Sequence, residues 1–294
     1  MTANAPATPT PGRLVTFAGG DGAGKSTLAT RLHQSLNDAG HEAVLVGKHS
    51  TDVPRAPELS AYLDRLNELV YRRDARVAQA CGDHYWLLAL ASWYTLQDRL
   101  VIRPALTAGT HVVLDNAHHK ILARYAVNPQ VPARLTAQVF AHLTEPDLVF
   151  FLDIGAREAL ARKGSFTSLE AGHTGGGDED FIRYQDTVLD RMREQAARGA
   201  WLSLDVTGMD RDQVFKAASR ALADRLHLTV RPTPPSRSTS TRNAPWTRPS
   251  CPPAERTSAT ASPGRAETPA SCSPRCPADR SSTPGSWAGA SATR

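Results

Sequence analysis

Residues 13–28 read RLVTFAGGDGAGKSTL, and this stretch constrains the chain more than any other. A short apolar run reads as a buried strand, two glycines break it, and Lys25 opens a segment with helical spacing. Gly19 to Ser26 satisfies G-x-x-x-x-G-K-[ST] in full. Such a loop wraps phosphates with successive backbone N–H groups, and its glycines permit the close approach. The dipole of the following helix favours an anion at its N-terminus. The loop residues Gly19, Gly20, Asp21, Gly22, Ala23, Gly24, Lys25, Ser26 and Thr27 are therefore the candidate triphosphate cradle. Lys25 is placed to reach the β- and γ-phosphates, and Ser26 to ligate Mg²⁺.

The rest of the body alternates apolar runs with helical spacing. Strands are expected at 13–18, 41–47, 111–115, 147–154 and 200–206. Helices are expected from Lys25 to about Gly40, a plausible C-terminal glycine, and over 57–79, 83–107, 132–143, 157–163, 181–196 and 210–226, with Asp210 as N-cap of the last. The run DLVFFLDI (147–154) is continuously apolar, as a strand covered on both faces requires. Alternating strands and helices predict an α/β fold with a parallel sheet flanked by helices.

Several further residues invite chemistry. HVVLDN (111–116) ends a buried strand in Asp115, a position from which an acid can hold Mg²⁺ or its water. Arg157, Arg162 and Lys163 precede a glycine-rich stretch, Gly172 to Gly177. A basic helix followed by a mobile segment suits a lid, spanning about 162–179, that covers transferring phosphates. Arg162 is its first catalytic candidate and Arg183 a weaker one. Trp86, Trp93 and Tyr94 either line a base-stacking pocket or belong to the core, and core is the commoner use of that spacing. The neighbours His118 and His119 cannot share a helix face, which argues against a metal site and leaves a phosphate contact open.

Composition divides the chain. From Arg231 to Arg294 there is no Ile, Leu, Val, Met, Phe or Tyr, and 12 of the 21 prolines lie there. That stretch cannot bury enough apolar surface to offset its ordering entropy, so 231–294 is expected to be a disordered tail, as is 1–12. The tail holds nine arginines and three acids against a whole-chain charge of +5, so residues 1–230 are close to neutral. The high pI thus says nothing about a basic groove on the folded part, and nucleic acid is not expected as a partner except through the Arg-rich tail. Three of the four cysteines sit in the tail, and Cys81 stands alone in the body. No disulfide framework follows, and a reducing, cytoplasmic setting is expected. Neither a leader pattern nor an apolar run of membrane-spanning length is visible.

Taken together, FAGGDGAGKST, IRPAL (102–106) followed by Gly109 and HVVLD, PDLVFFLDI…EALAR (146–162), and FIRYQ with WLSLDV resemble the thymidylate kinase family of P-loop nucleoside monophosphate kinases over about residues 13–228. The resemblance implies a five-stranded parallel P-loop sheet over a kinase domain at 13–230, ATP and Mg²⁺ as cofactors, and a nucleotide acceptor. It also implies a homodimer, Asp21 on the acceptor sugar, and Arg162 as the lid arginine. Lys25, Arg162 and Asp21 are the catalytic set so implied, with Ser26 and Asp115 on the metal. The acceptor side departs from the family. Asn116 and Ala117 replace its Arg and aromatic after the strand-end Asp, and Lys48, His49 and Ser50 stand where it has Arg-Glu-Pro. Tyr94 and Leu90 fall at its base-reading Arg and stacking Phe. Lys48, His49 or His118 are the candidates to replace the missing charge. Phosphoryl transfer to dTMP, transfer to a different small acceptor, and nucleotide binding without transfer are the three functional readings.

Overall fold

A computed structural model describes residues 10–71, 75–115, 117–167, 170–172 and 177–231, with the backbone alone for Ala75 and Ala78. The expected tail beyond 231, the first nine residues, Asn116 and the central glycines of the lid stretch lie outside the described residues.

Five strands form one all-parallel sheet: β1 (Leu14–Gly19), β2 (Ala43–Val46), β3 (His111–Leu114), β4 (Leu148–Asp153) and β5 (Leu202–Asp205). Their order is β2-β3-β1-β4-β5. Every residue of β1 is buried, as are the first five of β4, because helices cover both faces of the sheet centre. On one face α1 (Lys25–Asp38) and α9 (Arg211–Leu226) pack on Val15, Phe17, Phe150 and Leu152. On the other, α5 (His119–Ala126) and α8 (Asp178–Arg198) pack on Ala18, Val149 and Phe151. A separate cluster of helices, α2 (Pro57–Tyr71), α3 (Ala75–Gln97) and α6 (Ala133–Phe140), closes around Leu63, Leu87 and Trp93.

The helix ends follow the residues that make them. Gly40, at φ 91°, ends α1 with its N–H on Asn37 O (2.9 Å), and the next N–H, of His41, reaches Leu36 O (3.0 Å). These two bonds are a Schellman motif. Asp210 caps α9 by accepting from the N–H groups of Asp212 and Gln213 (2.8 Å each), and Gln213 returns the bond to the Asp210 N–H (2.9 Å).

The middle of the chain is more broken than its apolar spacing predicts. Among the described residues α2 runs to Tyr71 and α3 from Ala75, and α3 breaks at Gly82 (φ 72°, ψ 169°), between the helices expected at 57–79 and 83–107. A π-helical turn follows at Asp98–Ile102, and α4 (Arg103–Thr107) begins with Pro104 in its first turn, where a missing N–H costs least. The buried Asp98 carboxylate holds the turn by accepting from Arg103 Nε (2.7 Å) and the Thr144 N–H (3.2 Å).

The chain order reverses about β1, which lies between β3 and β4. In such sheets the crevice beyond the carboxyl ends of the strands is the ligand site. The loops after β1, β3 and β4 all open there.

Candidate active site

Beyond Gly19 the chain turns tightly and enters α1 at Lys25. Gly24, at φ 93° and ψ 11°, is the N-cap, and no side chain caps the helix. The first turn of α1 therefore keeps its N–H groups for an anion rather than for its own cap. Gly22 is required twice over. Its φ is 92°, and a Cβ there would lie 2.3 Å from the carbonyl oxygen of Ala159 on α7 (Ala156–Lys163). Lys25 folds over the loop and donates to Gly19 O (3.0 Å) and Gly20 O (2.7 Å). Burial lowers the pKa of its ammonium, Asp21 and Asp115 oppose that shift, and Arg124 and Lys163 add to it.

Asp115 follows β3 and is tied to the sheet by its own N–H on Val46 O (2.8 Å). Its Oδ1 is buried with no hydrogen-bond partner among the described residues. A desolvated carboxylate oxygen is costly unless a cation meets it. With the exposed Ser26 on the first turn of α1, this oxygen fits a Mg²⁺ ion held by one carboxylate and one hydroxyl. Phosphate oxygens and water would complete such a shell.

The two lid cations at the end of α7 part company. Arg162 Nη2 donates to Glu158 Oε1 (2.6 Å) and to the carbonyls of Val206 (2.9 Å) and Met209 (3.5 Å), which commits it to the loop after β5. The charge that reaches Lys25 is that of Lys163. Lys163 is itself paired with Glu170 Oε1 at 2.5 Å, and Gln185 Nε2 holds the Glu170 carbonyl at 2.6 Å. Phe166 stacks on Phe181 with centroids 4.5 Å apart, so this part of the stretch expected to form a lid packs on α8. Arg157 and Arg183 form exposed pairs with Glu179 and Asp180, away from the loop's charges.

The helix after β3 holds the largest surprise. Helix α5, which the sequence reading left unassigned, places Lys120 and Arg124 one turn apart on the phosphate loop. Both meet Asp21 Oδ2, Lys120 in a close ion pair and Arg124 Nη2 at 3.4 Å. Burial alone would raise the Asp21 carboxyl, but Lys120, Lys25 and Arg124 outweigh it and hold the group well below the usual carboxylate range. Burial and the Arg124 charge pull the Lys120 ammonium below the ordinary lysine range, with Asp21 pulling the other way. The signal for these two residues was present as the i, i+4 spacing of two cations between Ile121, Leu122, Ala123 and Tyr125.

The residues first considered as replacements have contacts of their own. His118 stacks on Phe140 (5.2 Å) and on His119 (4.6 Å), and burial lowers its pKa to about 4, so it is uncharged at neutral pH. His49 Nδ1 pairs with Asn67 Oδ1 (2.8 Å), and Lys48 Nζ sits 5.9 Å from the Tyr71 ring centroid. Leu90, Trp86, Trp93 and Tyr94 are all buried, which favours core over an open stacking pocket.

Comparison with known proteins gives a consistent result. The family model described as thymidylate kinase matches residues 17–208. A thymidylate kinase of Pelodictyon phaeoclathratiforme is 32% identical over 182 residues, covering 61% of this chain and 73% of the relative. A thymidylate kinase of Gluconobacter oxydans is 30% identical over 231 residues, covering 74% of this chain and 97% of the relative. One from Chlorobaculum parvum is 29% identical over 182 residues.

Proposed function

Because the chain belongs to the thymidylate kinase family and is an ATP-dependent kinase, we propose that it moves the γ-phosphoryl group of ATP to dTMP, giving dTDP and ADP. The observation that carries this reading is the complete triphosphate half. An uncapped, glycine-strained loop carries Lys25, and beside it lies a buried Asp115 oxygen with no partner among the described residues.

The reaction needs little covalent chemistry from the protein. An oxygen of the acceptor phosphate attacks the γ-phosphorus, the bond to the β–γ bridging oxygen breaks, and ADP leaves with that oxygen. Catalysis is positioning and electrostatic stabilisation. The N–H groups of Gly22 to Thr27 orient the β- and γ-phosphates, and Lys25 exchanges its two loop carbonyls for phosphate oxygens. Ser26 and Asp115 would hold Mg²⁺, which would neutralise charge on the phosphates. Lys163, with Arg162 behind it, stabilises the transferring group once it leaves Glu170. Docking of the lid on α8 keeps water from the phosphoryl group. Asp21, ionised at neutral pH, keeps Oδ1 for an acceptor hydroxyl while its Oδ2 holds Lys120 and Arg124.

A second acceptor is favoured by one set of observations. Leu90 and Tyr94 are buried where the family reads a thymine base, so a different phosphorylated or hydroxyl compound is the alternative. ADP release by the full chain with ATP, Mg²⁺ and dTMP, set against dUMP, thymidine and no acceptor, separates these. Release that depends on dTMP supports the first reading; equal release with and without dTMP refutes it.

We also propose a homodimer. Leu59, Tyr62 and Leu69 on α2 and Val77, Tyr85 and Leu88 on α3 are exposed apolar side chains, and such patches mark association surfaces. No described helix is long and apolar enough to cross a membrane. The setting we propose is the cytoplasm, where the exposed free thiol of Cys81 stays reduced.

A further inference from the structure

Helix α5 carries two cations on one face, at positions 120 and 124. Like charges at this spacing repel and weaken a helix, so something must compensate them. Asp21 does so only in part: one carboxylate oxygen receives both Lys120 Nζ and Arg124 Nη2. By formal charge these three side chains carry one cation more than they carry anions. Lys25 adds a further cation beside it, and that one is spoken for by the triphosphate. Arg124 also has an unmet donor, since its Nε is buried with no partner among the described residues. The guanidinium thus holds one contact at 3.4 Å and keeps donor capacity that an anion could take up.

The surroundings suit an anion larger than chloride. Tyr184 of α8 lies within electrostatic reach of Arg124, Asp21 and Asp83, and burial raises its pKa, so its hydroxyl keeps its proton as a donor. Its ring is held in place by Gly172, where a Cβ would lie 2.6 Å from it. Burial and Arg124 depress the Lys120 ammonium, and a second anion would stabilise it again. The three residues come from α5 and α8, the two helices that flank the phosphate loop on the acceptor side.

We propose that Lys120 and Arg124 are the acceptor-phosphate site of this enzyme and set its preference for a phosphomonoester over a neutral hydroxyl compound, with the Tyr184 hydroxyl as a further donor. They do the work of the arginines that the sequence lacks at 48 and 116. The proposal rests on the kinase reading above, but it assigns the anion-binding role to residues that no motif of the chain marks.

The test uses the full chain and three probes: dTMP, thymidine and inorganic phosphate. Lys120→Met and Arg124→Gln remove charge at similar volume, and Lys120→Arg and Arg124→Lys restore it. Each neutral variant should weaken dTMP binding by about 10- to 100-fold, the range for a lost charge-assisted bond. The charge-keeping variants should recover most of that loss. Wild type should bind dTMP and inorganic phosphate but not thymidine at matched concentration. A retained rise in melting temperature with ATP certifies that each variant is folded. Unchanged dTMP binding in both neutral variants overturns the site, and so does equal binding of thymidine and dTMP by wild type. If dTMP is turned over equally well by wild type and by both neutral variants, the kinase reading stands and the site falls. If dTMP is bound through Lys120 and Arg124 but never phosphorylated, the site stands and dTMP is the wrong phosphomonoester.

Discussion

Lys120 of α5 forms an ion pair with Asp21 of the phosphate loop. It joins a helix that follows β3 to a loop that follows β1, across the crevice where the chain order reverses. An acid that looks like a lone carboxylate inside a glycine-rich loop is thus one corner of a charged cluster. In the proposed reading, the triphosphate half and the acceptor half of the site meet at Asp21.

The loop geometry makes two glycines on either side of Asp21 behave oppositely. Gly22→Ala places a side chain at φ 92° and 2.3 Å from the Ala159 carbonyl oxygen, so either the loop or α7 must move. We predict loss of ATP binding and a stability cost above the roughly 1–2 kcal/mol of a left-handed alanine. At Gly20 an added Cβ meets nothing within 4 Å. Gly20→Ala should melt within about 0.5 kcal/mol of wild type, as open surface positions do. Thermal melts with and without ATP compare the two.

Asp115→Asn separates function from stability. It removes a buried charge whose Oδ1 has no partner among the described residues. Without Mg²⁺ the variant should melt no lower than wild type, because the desolvated carboxylate was a cost. The Mg²⁺ concentration for half-maximal rate should rise at least tenfold, roughly the least that even an outer-sphere partner contributes. A lower apo melting temperature combined with an unchanged Mg²⁺ requirement would show that Asp115 is structural.

The lid cations should divide kcat unevenly. Lys163 is the one whose charge reaches Lys25, whereas Arg162 is committed to Glu158 and to two carbonyls of the loop after β5. Lys163→Ala should lower kcat by about 100-fold, the scale of one lost transition-state donor. Arg162→Ala should lower it less and show its effect in KM for ATP. The reverse order in steady-state kinetics would return the leading role to Arg162.

Acid should unfold the protein through its histidines. Burial lowers His118 from 6.5 to about 4, with Asp98 opposing and His142 assisting, and lowers His119 to about 3, with His118 assisting. Between pH 6.5 and 4 the unfolded chain therefore binds protons that the folded chain refuses, and stability falls as pH falls. For His118 the loss reaches roughly 3 kcal/mol by pH 4. His118→Phe, which keeps the stack on Phe140, should flatten the dependence of denaturant midpoint on pH across that window. An unchanged slope would place the acid sensitivity elsewhere.

What the sequence told and what it withheld have physical causes. The five strands were legible because a doubly covered parallel sheet demands continuous apolar runs, as in DLVFFLDI. The phosphate loop was legible because glycine conformations and a lysine at fixed spacing leave a motif. Helix α5 was not, since its eight residues start at His119 directly after another histidine and without a capping side chain. With it went Lys120 and Arg124, whose role depends on Asp21, about a hundred residues away in sequence. The break at Gly82 falls where two helical stretches were expected to part, whereas the π turn at Asp98 was hidden, because its carboxylate is met by Arg103 and by the distant Thr144 N–H.

The central claim is phosphoryl transfer to dTMP, and its most direct test is the product. The full chain is incubated with ATP, Mg²⁺ and dTMP, and dTDP is quantified by chromatography beside a thymidine reaction and a Lys25→Ala control. The account predicts dTDP formed in step with ADP by wild type, no thymidine product, and at least a roughly 100-fold loss in Lys25→Ala. ADP formed without dTDP, or dTDP formed equally well by Lys25→Ala, would contradict it.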